Sequence, residues 1–181
     1  NAEHYRIDPG RRSRGLLCRE LLGCADSQEV VARLIGLNEL YNAFNLVVSD
    51  GEAAHLVEYA DGFATARALE PGCHIVTNRA IDDTASEPKA QRAIELLGAA
   101  DLWDAEPGSE APESLMSRLA RILGDHGLGG DDALCLHGER YGTRSAALWR
   151  VGAPGEAIAI ELRYADGAPC STPFVAVEIG T

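Results

Sequence analysis

Leu134-Cys135-Leu136-His137-Gly138-Glu139-Arg140-Tyr141-Gly142-Thr143-Arg144-Ser145-Ala146-Ala147-Leu148-Trp149-Arg150-Val151 is the stretch on which the reading of the fold turns. Two apolar runs rich in strand formers flank a short polar turn that contains Gly142, the pattern of a β-hairpin. Its second strand would open by presenting Thr143, Arg144 and Ser145. Between two small hydroxyl residues, the planar five-donor fork of Arg144 can hold a carboxylate or carbonyl oxygen at a fixed distance. The plainer reading of the same residue is a solvated arginine at a strand end.

Working outward, the alternation extends this hairpin into four strand candidates, at 133–137, 144–151, 157–164 and 174–179. Ahead of them come two helices. One spans 87–99 with Ala90, Ala93, Ile94 and Leu97 on a stripe, and the other spans 112–125 with Leu115, Leu119, Ile122 and Leu123 inward. An acidic loop over 104–110 separates the two, and Gly127, Gly129 and Gly130 stop the second. Further upstream, strands at 44–49, 54–59, 63–69 and 73–78 are joined by the turns Asp50-Gly51, Asp61-Gly62 and Glu70-Pro71-Gly72. These connections are too short to cross over between parallel neighbours, so the expected pairing is an antiparallel meander. The chain begins with a polar segment and two short helices. Ser13 caps the first, which carries Leu16, Leu17, Leu21 and Leu22; Asp26 or Ser27 caps the second, which carries Val30, Val31, Leu34 and Ile35 and closes at Gly36. Two helices, four strands, two helices and four strands bury all their stripes in an α+β fold, a four-layer α/β/β/α sandwich of two antiparallel sheets. A length of 181 residues suits one domain over 1–181.

Composition narrows the partners. Sixteen Lys and Arg against 28 Asp and Glu leave a formal charge of −12 with no basic run, which disfavours nucleic acid and anionic membrane surfaces. No apolar run approaches the roughly 20 residues a membrane span needs. The five cysteines (Cys18, Cys24, Cys73, Cys135, Cys170) are odd in number and scattered, as buried reduced thiols of a cytoplasmic protein are. Cys73-His74 and Cys135-x-His137 have the right atoms for a metal, but the sequence announces no partners at tetrahedral distance, so no metal is expected. The only methionine is Met116, so an upstream segment is expected to be missing, and Asn1-Ala2 are native residues or the remnant of a tag.

Three segments, Leu40-Tyr41-Asn42-Ala43-Phe44-Asn45-Leu46, Pro71-Gly72-Cys73-His74-Ile75-Val76-Thr77-Asn78 and Tyr141-Gly142-Thr143-Arg144-Ser145, together with Ser13-Arg14-Gly15, resemble the NRDE family, also called the TANGO2-like (transport and Golgi organisation 2) family. The resemblance runs from residue 1 to about residue 179 and lacks the opening part of the family pattern, with its Asn-Arg-Asp-Glu motif and a cysteine after the initiator methionine. The family is similar to the N-terminal nucleophile hydrolases. The resemblance therefore implies amide hydrolysis or acyl transfer by an N-terminal cysteine whose free α-amine serves as base, with asparagine and backbone donors forming an oxyanion hole. Carried over by position, the catalytic candidates are Asn78 as an oxyanion or carbonyl donor, Arg144 as the orienting arginine, and Asn1 if it is native. Thr77, Tyr141, Thr143 and Ser145 would contact substrate. Asn1 has neither thiol nor hydroxyl, and Cys18 lies among helix leucines as an inert thiol would, so this chain alone is not expected to hydrolyse anything.

Each candidate also has an ordinary reading. Asn78 can end its strand in a turn, Asn42 and Asn45 can bond backbone at a helix-to-strand junction, and Trp103 and Trp149 can be packing anchors, although Trp149 near Arg144 would suit the wall of an acyl pocket. The rival function is a non-catalytic carrier of a haem or an acyl lipid on the same fold, with His55, His74 and His137 as candidate axial ligands. The expected partner is a small-molecule substrate or ligand. Either the missing N-terminal segment or a second chain is expected along an open sheet margin.

Overall fold

The computed structural model describes residues 7–77, 81–100, 112–128, 131–139, 141–152 and 160–178. The chain divides into two compact units, Asn1–Pro71 and Gly72–Thr181.

In the first unit, α1 (Arg14–Leu21) starts where the Ser13 hydroxyl accepts the Leu16 N–H, and α2 (Ser27–Ile35) starts where the Asp26 carboxylate accepts the Glu29 N–H. Both caps satisfy helix-end donors that have no partner within the helix. Strands β1 (Phe44–Ser49), β2 (Ala54–Ala60) and β3 (Phe63–Ala68) form an antiparallel sheet in the order β1-β2-β3. Phe44 pairs with Tyr59 and His55 with Ala68. The two helices cover this sheet through a core of Leu17, Leu21, Val30, Leu34, Tyr41, Val57 and Tyr59. Phe44 stacks on Tyr59 at 5.0 Å and Tyr41 meets Tyr59 edge-on at 6.0 Å, geometries that aromatic quadrupoles favour. The Tyr59 hydroxyl donates to the Glu39 carbonyl at 3.2 Å and accepts the Tyr41 N–H at 3.3 Å, so the buried phenol carries no unmet polar atom. At the unit's opening, Asn42 and Asp8 exchange hydrogen bonds of 2.8 and 3.0 Å, the backbone-bonding role expected of that asparagine.

In the second unit, α3 (Pro88–Ala99) and α4 (Pro112–Leu123) precede a second antiparallel sheet of β4 (Ala146–Arg150), β5 (Glu161–Ala165) and β6 (Val175–Val177), in the order β4-β5-β6. Pro88 opens α3 at a position where its missing N–H costs nothing. Ala90, Ala93, Met116, Ala133, Cys135, Leu148 and Ala165 are its buried apolar residues among those described.

The expected order of elements holds, with two corrections. The strand expected at 73–78 is absent over its described part, where a single bridge joins Val76 to Ile81. The Asp82 carboxylate accepts the Ile75 N–H at 2.7 Å, and the Asp82 N–H donates to the Ile75 carbonyl at 2.9 Å, so the groups a ladder would use are already taken. Likewise 133–137 is not a strand. Cys135 N–H donates to the Asp125 carbonyl at 2.8 Å and Leu136 N–H to the Thr143 hydroxyl at 3.0 Å, and β4 pairs with β5 instead. The two sheets, three strands each, are a mixed α/β arrangement with four helices among the described residues.

Candidate functional site

The turn around Gly142 forms even though one of its expected strands does not. His137 bridges Gly142, and Thr143 N–H donates to the Leu136 carbonyl at 2.9 Å. The Thr143 hydroxyl accepts the Leu136 N–H and donates to the Leu134 carbonyl at 3.4 Å, so a side chain ties the returning chain to the outgoing one. These bonds set the direction of the backbone at Arg144 before β4 begins. Arg144 is exposed at that point, and among the described residues nothing accepts a hydrogen bond from its guanidinium.

An open depression of about 580 Å³ is lined here by Leu136, His137, Glu139, Tyr141, Thr143 and Arg144, together with Gly138 and Gly142. The structure thus brings together Tyr141, Thr143 and Arg144 of the expected site. Ser145 is exposed beside them in the chain but does not line the depression, and neither does Thr77, which is half-buried after the Val76 bridge. Trp149 is also absent from its wall and is exposed on β4. Asn1, Asn78 and Trp103 lie outside the described residues. Of the three candidate axial histidines, His74 is held by the Asp82 carboxylate at 2.9 Å and His55 has a buried Nδ1 with no hydrogen-bond partner.

The third, His137, leads to a feature that sequence reasoning missed. Its Nε2 lies 3.1 Å from Cys170 Sγ and 3.6 Å from Cys135 Sγ, and its ring meets that of His126 edge-on with centroids 5.1 Å apart. Hydrogen bonding from the His126 imidazole, aided by His137, pulls the exposed Cys170 thiol down to about 6, whereas burial pushes the Cys135 thiol up. Cys135-x-His137 was visible as a spacing. His126 and Cys170 carried no such signal, because they enter from the end of α4 and from the turn after β5.

Beside the cluster, Asp125 accepts both prongs of the Arg92 fork at 2.9 Å each and the Gly127 N–H at 2.9 Å. The hydrogen bonds from Arg92 hold the Asp125 carboxyl below the ordinary carboxylate range. This pair fastens α3 to the end of α4, and through the Asp125 carbonyl to Cys135.

Two antiparallel sheets with paired helices, and an arginine presented on a turn ahead of a strand, define a mixed α/β protein with a shallow polar site. The family model for Transport and Golgi organisation 2 (TANGO2) matches residues 1–166, and the chain belongs to that family. No curated protein and no solved structure matches the chain. Among the described residues, no helix is long and apolar enough to cross a membrane.

Proposed function

We propose that the chain is part of an N-terminal cysteine nucleophile enzyme that hydrolyses amides or transfers acyl groups, with the reacting thiol outside residues 1–181. In this reading Arg144 orients the substrate and Asn78 donates to the developing oxyanion. Thr77, Tyr141, Thr143 and Ser145 would contact the substrate. The protein works in the cytoplasm on a small molecule, consistent with its five free thiols.

The observation that carries the reading is Arg144. What supports it is that this guanidinium lines an open depression beside a side-chain-tied turn and has no acceptor among the described residues to compete with a carboxylate or carbonyl. The test is to produce the polypeptide with its native upstream sequence and react it with a carboxylate-bearing electrophile, mapping the label by mass spectrometry. The label is expected on the N-terminal cysteine, and Arg144→Ala should slow labelling roughly 10- to 100-fold, the worth of one charge-assisted contact. A chain left unlabelled at that cysteine, or labelled at an equal rate in Arg144→Ala, removes the assignment.

One observation favours the carrier reading in its acyl form. A cavity of about 260 Å³ is lined by Leu17, Cys18, Phe44 and Leu46. It is smaller than the roughly 300–1,000 Å³ of ordinary ligand pockets, a volume for the end of an acyl chain rather than a macrocycle. None of His55, His74 and His137 lines it.

A further inference from the structure

We propose that His126, Cys135, His137 and Cys170 form a site for one divalent transition-metal ion, zinc by the chemistry of the donor set. The ligand atoms of these four side chains, one from each, all lie within 4.8 Å of one another. Two thiols and two imidazoles make a soft-to-borderline S2N2 set, which selects zinc over magnesium or calcium and suits tetrahedral geometry. With metal–sulfur bonds of about 2.3 Å and metal–nitrogen bonds of about 2.0 Å, a tetrahedron has donor–donor edges of roughly 3.3–3.8 Å. The Cys135–His137 separation of 3.6 Å falls on that edge and the His137–Cys170 separation of 3.1 Å lies just inside it. Even the widest separation in the set needs only about 1 Å of contraction, within reach of side-chain rotation.

Three chain segments supply the donors, and each is fastened. His126 sits between Asp125, clamped by Arg92, and Gly127, whose φ of +66° is one that side-chain-bearing residues avoid. A Cβ on Gly127 would stand 2.6 Å from Asp132 Oδ1, so the loop closes there only because that residue is glycine. The Cys135 N–H bonds the Asp125 carbonyl, which joins the second segment to the first. At Gly124 a Cβ would lie 3.3 Å from the Cys170 Cα, so the third segment packs directly on the end of α4. The turn carrying Cys170 is closed by Ser171 and Thr172 N–H groups donating to the Ala168 carbonyl at 3.0 and 2.9 Å.

An approach for the ion is present as well. His126 and Cys170 line an open depression of about 680 Å³, and His137 lines the depression beneath Arg144, while Cys135 alone is buried. Four protein donors leave no open coordination position, so the ion is a cross-link rather than a reaction centre. On binding, each thiol still protonated gives its proton to solvent as the metal–sulfur bond forms, and no oxidant or reductant is required.

Cobalt(II) titration of the full chain, reduced and freed of metal with a chelator, tests the site. About one ion per chain should bind, with the visible bands of tetrahedral cobalt and a thiolate-to-cobalt charge-transfer band in the near ultraviolet, and zinc should displace it. Cys170→Ser and His126→Ala both alter exposed residues, so they leave the fold in place, as circular dichroism can check. Each should weaken binding by at least the roughly 100-fold that marks the top of the range for outer-shell partners. Cys18→Ser, on the surface of α1, should bind as wild type does. Absence of the charge-transfer band, binding unchanged in Cys170→Ser and His126→Ala, or a Cys135–Cys170 disulfide that persists with the ion present would each overturn the proposal.

Discussion

The two units solve the same problem with different materials. In Asn1–Pro71 the helices and sheet meet through Leu34, Tyr41, Val57 and Tyr59, all essentially without exposure, and a ring stack at 5.0 Å. In Gly72–Thr181 four of the seven buried apolar residues described are alanines. Alanine buries little area, so at about 25 cal/mol per Å² it contributes little to holding elements together. Among the described residues the elements there are also joined by directional contacts: the Arg92–Asp125 fork, the Cys135–Asp125 backbone bond and the cluster of His126, Cys135, His137 and Cys170. Where the described residues bury so little apolar area a cross-link is valuable, for the same reason that small domains recruit metals. The candidate active-site turn is attached to this second kind of scaffold, since His137 belongs to both the turn and the cluster.

The sharpest way to break the contrast is to remove one core leucine from each unit. Leu34→Ala deletes a side chain with no exposure and should cost toward the upper end of the roughly 2–5 kcal/mol span for such changes, whereas Leu148→Ala should fall near its lower end. Denaturant unfolding with amide exchange resolved along the chain reads both. Equal costs would show that the second unit is packed as tightly as the first. Next in size is the metal. Zinc at a hundredfold excess over its dissociation constant should add about 2.7 kcal/mol, visible as slowed exchange around residues 124–128, 133–137 and 168–172. It should also protect Cys135 and Cys170 from alkylation while Cys18 continues to react; uniform protection of all three thiols would detach the stabilisation from the cluster.

The same contrast explains what could be read from the sequence. Helix starts were legible because Ser13 and Asp26 act within three residues of themselves, and the first sheet was legible because Asp50-Gly51 and Asp61-Gly62 announce its turns. The segments 73–77 and 133–137 look like strands by composition, yet their backbone groups bond to Asp82, Asp125 and Thr143. Such bonds depend on partners seven to ten positions away, which strand propensity does not register. Arg144 and Tyr141 were found as neighbours along the chain and remain neighbours in space. His126 and Cys170 were missed because a pairing across more than forty residues leaves no periodic trace. The second unit, built from long-range polar contacts, was therefore the harder half to foresee.

The smallest expected effect separates two ways of holding a carboxylate. Asp50 accepts N–H groups of Ala53 at 2.9 Å, Ser27 at 2.9 Å and Glu52 at 3.0 Å, tying the β1–β2 turn to the start of α2. These bonds, the one from Ala53 foremost, hold its carboxyl well below the ordinary range. A carboxylate depressed on folding contributes its full share of stability above the unfolded value of about 3.9 and loses it as the pH falls toward the folded value. Asp125 is depressed mainly by Arg92 and has the same sign and window, but its partner is a charge that mobile ions can screen rather than a set of fixed backbone dipoles. Acid titration of stability below about pH 4 should therefore be shallower in Asp50→Asn than in the wild type, and that difference should survive added salt. The corresponding difference for Asp125→Asn should shrink as salt rises. If both respond to salt alike, the first unit too leans on charge pairing, and the distinction between a unit held by packing and backbone and a unit held by side-chain links fails at this point.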